Sequence, residues 1–257
     1  MIKSVCSFDS FQNILDHCVQ TVPHDVNSFE TYFDYQKLKD HANLIIQLEQ
    51  QLQEISQFDP IFLKTKEQAL AFWINCYNFF MITKVLQQGF QRKSRPINSV
   101  KQLGTFLKPF KAFSDLDFKV RDTLISLDQI EKQVLLGTAY KFINWKDARI
   151  HFAVNCASVA CPAISKKLYT PNNIDQQLNE SVLQALKTPR QLFIQENTVH
   201  MTELFKWYAQ DFIDEQGSVF DFILRFNQSK ELADLITGAA PVKYIKYNWN
   251  LNTLNNF

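Results

Sequence analysis

The side chains best suited to chemistry in this chain lie together in His151-Phe152-Ala153-Val154-Asn155-Cys156-Ala157-Ser158-Val159-Ala160-Cys161-Pro162. This stretch holds one of the five histidines and two of the five cysteines. Imidazole and thiol groups change protonation near neutral pH, which fits them to act as base and nucleophile. A cysteine nucleophile needs a base within reach and a third group that orients the base. In that arrangement His151 is the base, Cys156 or Cys161 the nucleophile, and Glu131 or an asparagine the orienting group. The alternative is structural: a buried imidazole bonded to Glu131 or to backbone, beside two small buried thiols.

Spacing constrains these roles. Asp147–Asn155 reads as a buried strand, with Ile150, Phe152 and Val154 on one face and His151, Ala153 and Asn155 on the other. At about 3.3 Å per residue, His151 and Asn155 stand roughly 13 Å apart on such a strand. The chain must therefore turn after Asn155 to bring a cysteine back, and the small residues Ala157, Ser158 and Ala160 permit that turn. Cys156 and Cys161 are separated as C-x4-C, unlike the C-x-x-C of common oxidoreductases. They can close a small disulfide only if the loop bends tightly. His151 with the two cysteines gives three zinc donors without a visible fourth, so no metal and no cofactor is expected. Asn75 and Asn78, three residues apart in an apolar segment, must be hydrogen-bonded if buried, and together with Asn155 they are expected to support the site as a polar network.

Helical and strand patterns supply the elements that hold these residues. Apolar spacing marks helices over residues 8–22 and from Phe33 to about Phe58. Thr65 followed by Gln68 is a capping box for a helix over about Lys66–Gln88, with Gly89 placed to end it. Lys119-Val120 and Leu124-Ile125 read as short strands. A second capping box, Ser126 with Gln129, opens a helix carrying Glu131. Leu168–Leu186, entered at Pro171, is a further helix. Leu192–Ile194 and Thr198–Met201 form a hairpin about Glu196-Asn197, followed by helices over Leu204–Ile213 and Val219–Phe226. The tail from Pro241 is extended and aromatic. The expected architecture is α+β, a single helix-rich domain around a small sheet. Residues 1–60 form an N-terminal helical segment packed on a core domain of residues 61–257.

Composition narrows the function. The chain has 257 residues, 46% of them hydrophobic and 23 of them Phe, enough for a substantial core. A net charge of +1 gives no overall basic bias toward nucleic acid. Five glycines and no Gly-rich phosphate loop argue against nucleotide binding. Met1 to Cys6 lacks the apolar core of a signal peptide. The richest apolar run, Ala69 to Leu86, is interrupted by Asn75, Asn78, Thr83 and Lys84, so no membrane span is expected. A cytoplasmic location is the expectation, with export by a route without a cleaved signal as the alternative, and in a reducing compartment a Cys156–Cys161 bond would be labile or regulatory.

Several phrases occur in a telling order. They are Phe72-Trp73-Ile74-Asn75-Cys76-Tyr77-Asn78, Ser126-Leu127-Asp128-Gln129-Ile130-Glu131, Arg149 through Cys156, Ser158 through Pro162, Lys206-Trp207-Tyr208-Ala209-Gln210-Asp211-Phe212 and Tyr247-Asn248-Trp249-Asn250-Leu251-Asn252. Together they resemble the domain family known as DUF547, over nearly the whole chain. The resemblance implies a domain that elsewhere occurs in exported bacterial proteins and in eukaryotic proteins, some joined to glutaredoxin-like or DEP modules. This chain departs from the family's pattern at Ala157, where Gly is usual, and at Ala160, where Ser is usual. The family's name assigns no function. From the residues, the first expectation is a cysteine-dependent hydrolase or acyltransferase acting on a protein or peptide. The others are a non-catalytic binding or scaffolding domain with a structural polar core, and a redox-sensitive cysteine pair.

Overall fold

The computed structural model describes residues 3–23, 29–91 and 95–256. His24, and Arg92, Lys93 and Ser94 of a short basic run, lie outside the described residues. The centre of the fold is α4 (Lys66–Lys84), preceded by α1 (Asp9–Cys18), the β1–β2 hairpin (Val19–Pro23, Phe29–Phe33), α2 (Tyr35–Asp40) and α3 (Ala42–Gln57). Every residue of α4 from Ala69 to Lys84 is buried. A helix that is apolar on all sides can only sit inside, and the Phe-rich composition supplies its surroundings. Phe11 meets Phe79, Phe8 and Phe58 meet Phe72, and Phe118 stacks on Phe80 at 4.2 Å.

The capping box at Thr65 and Gln68 forms as expected. Two other expectations about this helix are corrected. Gly89 does not end it: the chain continues as a π-helical turn over Val85–Gln91, and Ile97 packs where a Gly89 Cβ would stand. Lys66–Gln91 is also long and apolar enough to cross a bilayer, contrary to the sequence expectation. Here its apolar stretch from Ala69 to Leu86 is buried in protein, and Lys84 within it pairs with Asp117 at 2.7 Å.

The chain then passes through α5 (Lys111–Ser114), the β3–β4 hairpin (Phe118–Val120, Thr123–Ile125), a π-helical segment over Gln129–Leu135, and α6 (Thr138–Phe142). The Ser126–Gln129 box opens the segment that carries Glu131. The expected strand at Asp147–Asn155 is not one. Residues Ala148–Phe152 form a 3-10 helix, because the Asp147 carboxylate accepts the Arg149 N–H and then pairs with the Arg149 guanidinium. An aspartate that turns its own backbone competes directly with strand pairing. The alternation was uninformative because both supposed faces are buried.

The C-terminal part comprises α7 (Ile174–Ala185), β5 (Leu192–Gln195), β6 (Thr198–Thr202), α8 (Leu204–Trp207), α9 (Ala209–Gln216), α10 (Val219–Phe226), α11 (Lys230–Thr237) and β7 (Val242–Ile245). Glu196 and Asn197 both have positive φ (49° and 56°), the mirror-image turn that matches strand twist. β6 pairs antiparallel with β5 and parallel with β7. Phe152, Phe205, Phe212 and Phe222 fill the second apolar cluster. Four more helices differ from expectation, and the first, expected over residues 8–22, ends at Cys18 because Val19–Pro23 pairs as β1. The second helix breaks at His41, the 204–213 helix breaks at Tyr208, and α7 starts at Ile174 after a turn at Pro171. The class is mixed α+β with small sheets.

Candidate active site

Two buried amides on α4 organise the loops above it. Asn75 donates to the Tyr169 carbonyl (2.8 Å) and accepts the Tyr169 N–H (3.0 Å). Asn78 donates to the Ala153 carbonyl (2.9 Å) and accepts the Asn155 N–H (2.8 Å). Each side chain thus pairs with loop backbone as a strand neighbour would. This is a structural network, and it fixes where the chain leaves the 3-10 helix.

Asn155 then shapes the cysteine loop. Its carbonyl oxygen accepts the Ala157 N–H and its amide donates to the Pro162 carbonyl, both at 2.8 Å. Ala157 has φ of 62°, a left-handed conformation that favours glycine. The tail binds the other edge of the loop. Val159 N–H donates to Asn250 (2.8 Å), Ala160 N–H to Asn248 (3.1 Å), and Asn252 N–H to Ala157 (2.8 Å). So held, the loop pairs Cys156 with Cys161 as a disulfide, with Cα atoms 6.4 Å apart.

Polar donors surround the sulfurs. The Cys156 backbone N–H donates to Cys161 Sγ at 3.0 Å. The Tyr247 hydroxyl lies 3.2 Å from Cys161 Sγ and 3.3 Å from Cys156 Sγ. The Ser158 hydroxyl lies 3.1 Å from Cys156 Sγ and 3.6 Å from Cys161 Sγ. Burial pushes the Tyr247 phenol up, which keeps it a neutral O–H donor.

His151 finds its partner in Asp211. Its Nε2–H donates to Asp211 Oδ2 at 2.8 Å, and Lys146 reaches Asp211 Oδ1 at 2.5 Å. Burial works to raise the Asp211 carboxyl, but the bonds from His151 and Lys146 outweigh it and hold it below its ordinary value. With the proton on Nε2, Nδ1 is the acceptor, and among the described residues it has no hydrogen-bond partner. Tyr208 stacks on the imidazole at 4.0 Å. Glu131 is therefore not the group that orients His151. It accepts the Tyr208 hydroxyl at 3.0 Å and acts on the imidazole one residue removed. Burial, then the charge of Glu131, pushes the Tyr208 phenol up.

His151, Glu131, Cys156 and Cys161 all line one cavity of about 170 Å³. Aromatic rings make up much of the remaining wall, with Trp207, Tyr247 and Trp249 against Phe110, and Asp128 and Lys132 line it beside Glu131. Both cysteines are half-buried, whereas the His151 side chain is 1% exposed. Such a site offers a base held by a carboxylate, a dithiol or disulfide, and an apolar wall for a substrate group. Among the described residues no three His, Cys, Asp or Glu side chains converge as metal ligands do.

Residues 62–184 match the family model described as "Protein of unknown function, DUF547". That segment, a little under half of the chain, is similar to the DUF547 family. No curated protein and no solved structure matches the chain. The matched DUF547 segment includes Asn75, Asn78, Glu131, His151, Asn155 and both cysteines of the loop. Asp211, Tyr208 and Tyr247 lie beyond it, so the cavity is completed by chain outside the matched segment. Asp211 and Tyr247 stand in the sequence phrases above, but nothing in their local pattern assigns them a role. The signal for Asp211 is its place four residues after Trp207 and three after Tyr208, which reads equally well as a core edge.

Proposed function

We propose that the cavity is the active site of a cysteine-dependent hydrolase or acyltransferase, working when the Cys156–Cys161 pair is reduced. The observation that carries this reading is the Asp211–His151 pair beside two partly exposed cysteines in one aromatic-walled cavity. Cys161 is the preferred nucleophile, because a backbone N–H and two hydroxyls surround its sulfur and favour the thiolate. His151 takes the thiol proton, and Asp211 with Lys146 holds the imidazolium in place. The thiolate attacks a substrate carbonyl; the C–S bond forms, the C–N or C–O bond breaks, and His151 returns the proton to the leaving group. Water or an acceptor amine then releases the acyl group from the thioester. The aromatic wall suits a peptide or another acyl compound with an apolar group.

The closed pair favours a second reading, thiol–disulfide exchange. Opening it consumes two electrons and two protons, supplied by two thiols that leave as their own disulfide. One experiment separates these readings. Reduced protein is treated with p-nitrophenyl acetate, and its intact mass is followed. Acyl transfer predicts an acetyl adduct on Cys161, absent in Cys161→Ser and slowed in Asp211→Asn. No adduct, with rapid re-closure of the pair by an added disulfide, would replace the hydrolase by the exchange reading. Neither activity would leave a binding domain with a structural polar core.

A further inference from the structure

The strongest unassigned feature is a turn beside the cavity mouth. Thr105 and Lys108 close it with two backbone hydrogen bonds, Thr105 N–H to the Lys108 carbonyl (3.2 Å) and Lys108 N–H to the Thr105 carbonyl (3.1 Å). The corner residues are Phe106 and Leu107, which are 99% and 87% exposed. Turn corners are ordinarily Gly, Asn, Asp, Ser or Pro, so two large apolar side chains held in water by a well-bonded turn call for an occupant.

Charge says what kind. Lys101, Lys108 and Lys111 flank the corner and are exposed. Among the described residues Lys101 and Lys108 make no ion pair, while Lys111 meets Asp115 at 3.3 Å. The described residues 95–114 contain four Lys or Arg and no Asp or Glu, in a chain whose net charge is only +1. An apolar tip ringed by cations is complementary to an anionic bilayer, where the rings and aliphatic groups enter the acyl boundary and the ammonium groups meet lipid phosphates. A protein partner fits less well. Two side chains on a convex corner fall far short of the roughly 800 Å² per partner that a stable interface buries.

We propose that the Thr105–Lys108 turn is a reversible docking site for anionic membrane surfaces. Phe110, two residues on, packs on Trp249 at 4.6 Å and lines the cavity. Docking through this turn sets the cavity rim at the lipid surface. The inference stands independently of the chemistry proposed above.

The test is co-sedimentation of the full chain with phosphatidylcholine vesicles, with or without about 30% phosphatidylserine. The expected result is binding to the anionic vesicles that weakens as salt is raised. The double variant Phe106→Ser, Leu107→Ser and the double variant Lys101→Gln, Lys108→Gln should each lose roughly tenfold in affinity, with melting temperatures unchanged. All four side chains are exposed; Lys101 also lies over the Phe110 and Trp249 rings at 5.8 Å, so Lys108→Gln alone is the control that leaves the cavity wall untouched. No binding to anionic vesicles would overturn the proposal, as would equal binding to neutral vesicles or full binding by the Phe106, Leu107 variant. Concentration-dependent self-association that the same variant abolishes, without vesicle binding, would assign the turn to a protein interface instead.

Discussion

Single residues here carry consequences that can be measured. Ala157 holds a left-handed backbone in the cysteine loop, costing an L-residue about 1–2 kcal/mol relative to a permissive one. Glycine gives part of that back through the greater freedom of its unfolded chain, about 0.4–1 kcal/mol. Ala157→Gly should therefore stabilise the protein by up to about 1 kcal/mol in denaturant unfolding, and a loss of stability would show that the alanine methyl, buried in the core, matters more. Asp211 gives a prediction in pH. Its carboxyl is held below the ordinary value of about 4, so its contribution to stability is complete above that value and is lost as pH falls through the lower folded one. The melting temperatures of wild type and Asp211→Asn should differ most at neutral pH and converge below about pH 4. A constant gap would mean that the asparagine damages packing and that the charge contributes nothing. At this scale the chemistry-bearing types were legible in the sequence, because His, Cys and buried Asn stand out by type. Their pairings were not. Glu131 was the natural orienting group on paper, yet Asp211, sixty residues from His151, holds the bond.

Elements were legible where local chemistry decides them. The capping boxes at Thr65 and Ser126 and the hairpin at Glu196-Asn197 depend on residues within a few positions of one another, and all three form. The segment around His151 was misread because its outcome depends on a side chain, Asp147, that turns the backbone and then pairs with Arg149. That pair also ties the 3-10 helix to α7, through Arg149 Nη1 to Asn179 Oδ1 at 2.7 Å. Burial works against the Asp147 carboxylate, but the bonds and charge of Arg149, with Lys66, hold its carboxyl below the ordinary value. Arg149→Ala would remove the guanidinium and leave the buried Asp147 charge with the backbone N–H of residue 149 and Lys66 at 3.4 Å. It should cost about 3 kcal/mol in equilibrium unfolding, the lower end of the range for breaking a buried pair. An effect below about 1 kcal/mol would show that the 3-10 helix is held by its apolar contacts alone.

At the scale of the whole molecule, the site is assembled from distant chain. The segment that matches the family model supplies the amides, the imidazole and the thiols. A helix pair beyond it supplies Tyr208 and Asp211, and the tail supplies Tyr247 and the strap that clamps the cysteine loop. No periodicity predicts such convergence, because it arises from tertiary packing rather than local pattern. The three cysteines outside the loop serve as internal controls. Burial, the main cause for each, pushes the thiols of Cys6 and Cys18 up to about 12 and that of Cys76 well above its ordinary value. They remain protonated, slow thiols at mildly acidic pH. The most direct test of the proposed chemistry compares them with the loop. Reduced protein is labelled with iodoacetamide across a pH series, and each cysteine is read by peptide mass spectrometry. If His151, held by Asp211, activates a thiol, Cys161 should label at least roughly tenfold faster than Cys6 near pH 6. That lead should vanish in His151→Ala and shrink in Asp211→Asn. Labelling of Cys156 and Cys161 no faster than Cys6, or a lead that survives in His151→Ala, would contradict the account.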